Sequence, residues 1–122
     1  MTSTTVLAAP KKYGYVPPTF PRDPAEVNQF AEHIVLGQIL EPMVDTDKLG
    51  NVTPGLAESW TFEDKGLTIR FKIRKDRIFS NGIKLESKDI KYTIERVISK
   101  KSQSSNFIAS ISSVESPSAD VL

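Results

Sequence analysis

Apolar and polar positions alternate most regularly between residues 59 and 73. Leu67, Ile69, Phe71 and Ile73 are separated by the polar Thr68, Arg70 and Lys72, a period of two that places four apolar side chains on one face of a strand. Ser59-Trp-Thr-Phe62 is also rich in strand formers, and Glu63-Asp-Lys-Gly66 supplies a turn in which Gly66 is free to take positive φ. These segments predict a β-hairpin. A second tight turn is expected at Asn81-Gly82, between Ile78-Phe79 and Ile83.

The period then changes. Ile90, Ile94, Val97 and Ile98 stand at helical spacing and predict a helix over about 87–99, with Asp89 in its first turn. A second helical stripe runs through Val27, Phe30, Ala31, Ile34 and Val35. Asp23-Pro24 supplies a local start signal for it, an N-cap followed by proline at the first helical position, and Pro42 a stop. Met43-Val-Asp-Thr46 reads as a short strand, and Leu49-Gly-Asn-Val-Thr-Pro-Gly55 as turn-rich chain. Residues 1–12 read as a flexible leader, and Pro17, Pro18 and Pro21 enforce extended backbone after it. No repeat or linker divides residues 13–122. The fold class is mixed α/β or α+β. The strand and helix each present a full apolar face, yet the chain reaches Val121-Leu122 where a further strand is due, so the unit is expected to be incomplete.

Composition narrows the function. The 122 residues carry 16 Lys+Arg against 15 Asp+Glu, far from the basic excess of a nucleic-acid binder. Lys72, Arg74, Lys75 and Arg77 cluster, but read as a solvated strand end. There is no cysteine, hence no disulfide, thiol catalysis or cysteine-bound zinc. No apolar run reaches the roughly 18 residues of a membrane span. The apolar stretch at residues 6–9, without a basic region before it, is a poor signal peptide.

Candidate chemistry is thin. His33 is the only histidine, and metal sites need several convergent donors. Neither a Gly-x-Ser-x-Gly elbow nor a phosphate loop is present. Glu58, Glu63, Asp64, Glu86 and Asp89 stand at turns and caps, where structural roles are ordinary. The expectation is no enzyme, no cofactor and no metal.

Five motifs, in one collinear order, carry a resemblance. Glu41-Pro-Met-Val-Asp-Thr-Asp-Lys-Leu-Gly-Asn-Val-Thr-Pro-Gly-Leu-Ala-Glu-Ser-Trp60 is similar to the signature stretch of the family 5 extracellular solute-binding proteins, the receptors of oligopeptide, dipeptide and nickel ABC importers. Asp64-Lys-Gly-Leu-Thr-Ile-Arg-Phe-Lys-Ile-Arg-Lys75, Phe79-Ser-Asn-Gly82 and Ser87-Lys-Asp-Ile-Lys-Tyr-Thr-Ile-Glu-Arg96 continue it, and Asp23-Pro24 resembles the family's Leu-Asp-Pro. The resemblance spans about residues 13–118. It implies part of the N-terminal lobe of a type II periplasmic-binding-protein fold, a mixed sheet with flanking helices and a β-hairpin.

Most of these motif residues are scaffold: Trp60 is expected to pack the hairpin, Gly66 and Gly82 to set turns, and Arg74 and Asp89 to make structural polar contacts. Where the family has threonine at the helix cap this chain has Glu86, so Ser87 is expected to cap instead. The resemblance also places ligand contacts at Asn28, Gln29 and Phe30, and at Asn106 and Phe107 with Ile108 beside them. For Phe30 and Phe107 core packing is the competing role. The implied partners are a peptide or other small solute and an ABC permease, and the implied location is the periplasm or cell surface. A solute-sensing module of an intracellular regulator and a truncated remnant are the alternatives.

Overall fold

A computed structural model describes residues 23–27, 30–101 and 103–122; the side chains of Phe30, Gln103, Ser104 and Phe107 fall outside the description. The expected leader at residues 1–12 lies outside the described residues. The architecture is mixed α/β. A 3₁₀ turn (Pro24–Glu26) leads to helix α1 (Phe30–Leu36). Two antiparallel hairpins follow: β1 (Val44–Thr46) with β2 (Val52–Pro54), then β3 (Ala57–Glu63) with β4 (Thr68–Ile73). A 3₁₀ turn (Asp64–Gly66) joins β3 to β4, and helix α2 (Ser87–Lys100) and a third 3₁₀ element (Gln103–Ile108) complete the order.

The β3–β4 hairpin forms as its alternation predicts. Trp60 stands opposite Phe71 and Phe62 opposite Ile69, so the four share one face. Burial is graded along that face. Ile73 is 1% exposed, Phe71 half-buried, Ile69 43% exposed and Leu67, already in the turn, 90% exposed. The expected apolar row therefore forms on one face, and its burial falls off toward the turn because only the base of the hairpin packs into the core. In the turn, Asp64, Lys65 and Gly66 all take positive φ, at 51°, 58° and 88°. Asn81-Gly82 closes the second expected turn, with Gly82 at φ 84° and the Ile83 N–H donating to Asn81 Oδ1.

The core sits where that base meets α2. Ala57, Ile73 and Ile90 are its buried centre, ringed by Met43, Val44, Leu56, Phe71, Leu85, Ile94 and Leu122. Gly55 lets the two hairpins approach: a Cβ there would lie 2.4 Å from the Pro42 carbonyl oxygen. Around it the Leu56 and Ala57 amides donate to the Pro42 and Met43 carbonyls, and Arg74 Nε donates to the Gly55 carbonyl at 2.8 Å. Val121 forms an isolated antiparallel bridge with Lys72 on the free edge of β4. Phe71 and Leu122 exchange both backbone hydrogen bonds, and the Ile73 amide donates to Asp120.

Three local expectations are corrected. The helix does not run on from Asp23. Asp23 caps only the single 3₁₀ turn, and Val27 is extended (φ −66°, ψ 131°), so α1 starts at Phe30. Val27 is 2% exposed in that conformation, and burial of a β-branched side chain that favours extended backbone outweighs the local helix signal. At its far end α1 stops at Leu36 and unwinds through single turns to Leu40, ahead of Pro42.

The turn-rich segment also contains strand β2. Its partner β1 is held through a five-residue loop in which the Asp47 carboxylate accepts from the Leu49 and Asn51 amides and from Asn51 Nδ2. These donors hold Asp47 below the usual carboxylate range, the Asn51 side chain contributing most. Finally, Glu86, not Ser87, is the N-cap of α2, and Asp89 Oδ2 accepts from the Glu86 amide at 2.9 Å. Ser87 lies one position inside. It is fully buried, and its hydroxyl donates to the Ser118 carbonyl and shares a hydrogen bond with the Ser116 hydroxyl.

Candidate functional site

The 3₁₀ turn Pro24–Glu26, the 3₁₀ helix Gln103–Ile108 and the C-terminal half of α2 pack against one another. Sequence reasoning drew its candidate residues from two stretches about eighty positions apart. The structure brings the elements beside those stretches to one end of one helix. Asn28 and Gln29 lie outside the described residues. Phe30 opens α1, and Phe107 lies in the 3₁₀ helix Gln103–Ile108, with both side chains outside the description. Asn106, on the same 3₁₀ helix, is exposed, and its neighbour Ile108 is half-buried.

Charge organises this junction. Arg96 grips both carboxylate oxygens of Asp23 through its two terminal nitrogens, a fork geometry that aligns two charge-assisted bonds. Asp23 Oδ1 also accepts from the Ala25 amide at 3.1 Å, which caps the turn. Lys100, one turn further along α2, lies 3.4 Å from Asp23 and 2.9 Å from Glu26. The hydrogen bonds from Arg96 hold the Asp23 carboxyl far below the usual carboxylate range, with the Ala25 amide adding to the effect. Lys100 is held protonated above its ordinary value, chiefly by Glu26 and then by Asp23. Ala25 and Val27 are buried in and just after the turn, so apolar packing and ion pairing fix it together.

The sequence motifs contain Asp23 and Arg96 separately, and nothing in either motif joins them.

Elsewhere the polar residues are engaged as scaffold. Lys72 pairs with Glu58, Lys75 with Asp120 and Arg77 with Glu41, so the basic cluster on and after β4 is spent on local ion pairs. A shallow depression between Arg74, Lys75, Lys84, Leu85, Glu86, Ala119 and Asp120 is lined by some of these paired charges. His33 is exposed on α1. Among the described residues no group of three or more histidine or carboxylate side chains converges as a metal site, and no helix is long and apolar enough to cross a membrane.

The family model for bacterial extracellular solute-binding proteins, family 5, matches residues 51–122. The oligopeptide-binding protein AliB of Streptococcus pneumoniae is 36% identical over 73 residues, covering 56% of this chain and 11% of AliB. The chain spans about a tenth of the length of the curated relatives it matches. Among solved structures, the Bacillus subtilis oligopeptide-binding protein AppA, in complex with a nonapeptide, superposes with a TM-score of 0.69 at 27% identity, over 80% of this chain and 20% of AppA. NikZ of Campylobacter jejuni, in complex with Ni(L-His), gives a TM-score of 0.59 at 28% identity over 66% of this chain and 17% of NikZ. The signature stretch, the hairpin and α2 fall within the matched region or lead directly into it, and this chain belongs to the family 5 bacterial extracellular solute-binding proteins.

Proposed function

We propose that this chain contributes one wall of a peptide-binding cleft in the receptor of an ABC-type importer. The receptor would act in the periplasm or at the cell surface, beside its permease. Its role is binding rather than catalysis. Asn28, Gln29, Phe30, Asn106 and Phe107 are the residues assigned to the solute. An extended peptide would be held largely through its backbone, with hinge closure against the rest of the receptor supplying the opposite wall.

The observation that carries the peptide reading is extent of likeness. The peptide-bound AppA structure follows 80% of this chain, and the nickel-chelate receptor 66%. One wall of a cleft gives little affinity alone, so the 122-residue chain is expected to bind peptides no tighter than about 1 mM. The test is a titration of the isotope-labelled chain with a mixed tri- to pentapeptide pool, followed by amide chemical shifts. Weak, saturable perturbations at residues 28–30 and 106–107 are expected. Perturbation there by a nickel–histidine complex, with none by peptides, would overturn the peptide assignment.

A further inference from the structure

Two cations on α2 meet two carboxylates on the first 3₁₀ turn as a matched set. Arg96 and Lys100 are four residues apart, on one face of the helix. Asp23 and Glu26 are three apart, on one face of the turn. Arg96 forks onto Asp23, while Lys100 lies against both carboxylates. An isolated surface ion pair fixes little. This one differs because the Arg96 and Asp23 side chains are only 34% and 19% exposed, the bond is a fork, and Ala25 and Val27 are buried beside it.

What leaves the clamp on each side matters more than the clamp itself. The chain emerges extended at Val27, three residues before α1 begins. On the other side α2 ends at Lys100 itself. Its cap, Lys101, takes φ 50°, and the chain turns into the 3₁₀ helix that carries Asn106. Each exit leads into one of the stretches assigned to the solute.

We infer that Arg96, with Lys100, is a positioning residue for solute binding: through Asp23 and Glu26 it sets the distance between the turn Pro24–Glu26 and the 3₁₀ helix Gln103–Ile108. Arg96 does not touch the solute. This inference rests on the peptide-site reading above, and its test has one arm that needs no ligand.

The variants are Arg96→Gln, Arg96→Lys and Asp23→Asn in the full 122-residue chain. Asp23→Asn keeps a side-chain oxygen for the Ala25 amide, so the turn stays capped while the charge is lost. Glu63→Gln, which disrupts the Arg70 pair at the far end of the hairpin, serves as the electrostatic control. In the ligand-free arm, proton–proton NOEs between residues 25–27 and 105–108 are followed by NMR. They are expected to disappear in Arg96→Gln and weaken in Arg96→Lys and Asp23→Asn, with β3–β4 amide shifts unchanged.

In the second arm the peptide pool is titrated. The initial slope of the shift change at residues 30 and 106 is expected to fall about five-fold or more in Arg96→Gln, to recover in part in Arg96→Lys, and to stay at the parent value in Glu63→Gln. NOEs that persist in Arg96→Gln overturn the positioning role, as does an undiminished slope. If the NOEs disappear as expected but residues 30 and 106 of the parent chain ignore peptide, the clamp stands as architecture, and both its role in binding and the peptide-site reading are overturned. Loss of the β3–β4 pattern in every clamp variant overturns positioning in favour of global stability.

Discussion

The two halves of α2 are anchored by different forces. The N-terminal half is held by burial: Ile90 sits with Ile73 and Ala57 in the core, and Ser87 is sealed against the 116–119 segment. The C-terminal half adds ion pairing to burial: Arg96 and Lys100 reach carboxylates on the far side of the sequence, on a turn whose Ala25 and Val27 are buried. Burial is indifferent to the protonation of its neighbours and nearly so to salt. A partly exposed ion-pair network responds to both. One helix therefore joins a scaffold end to an adjustable end, and the candidate solute residues lie beyond the adjustable one.

The largest test of this contrast is Ile73→Ala. Removing the most buried large side chain among the described residues should cost about 2–5 kcal/mol of unfolding free energy in urea titration. It should loosen both hairpins and the first half of α2 together. A loss confined to the β3–β4 tip would show that the core does not unify these elements.

An intermediate effect is expected from acid. Asp23 is depressed when folded, so the stability it contributes is complete above its open-state value near about 3.9 and is lost progressively as pH falls below it. Amide exchange at residues 97–101 should accelerate relative to residues 90–94 as pH is lowered from 5 toward about 2.5, after correction for intrinsic rates. Equal acceleration of the two halves would erase the distinction. Asp120 and Glu86 near the first half are also depressed, by Lys75 and Lys88, but the apolar core beside them does not titrate.

The smallest effect is expected at Leu67. At 90% exposure it contributes little to the fold, and Leu67→Ser should change stability by no more than about 0.5 kcal/mol.

Much of the scaffold half was legible because its signals are local. Alternation gave the β3–β4 hairpin, helical spacing gave α2, and Gly66 and Gly82 marked turns that take positive φ. Strand β2 escaped because three residues ending in proline, between glycines, look like a turn until β1 pairs with them. The start of α1 was misplaced because Asp23 carries a genuine cap signal that is spent on a single turn, while Val27 is claimed by burial.

The adjustable half was less legible for a physical reason. Nothing in the period of a sequence says that the carboxylate in one motif will meet the guanidinium in another. The family resemblance supplied the candidates Asn28, Gln29, Phe30, Asn106 and Phe107, but not the ion pair that brings their neighbourhoods together.

The Asp23–Arg96 contact closes a span of 73 residues, whereas β3 and β4 meet across a four-residue loop. Chain-closure entropy makes the hairpin an early event and the clamp a late one. A contact absent from the folding transition state acts on the rate of opening and hardly on the rate of folding. The charges on α2 are thus expected to govern how long the turn Pro24–Glu26 stays against the helix once joined, a matter of lifetime more than of assembly.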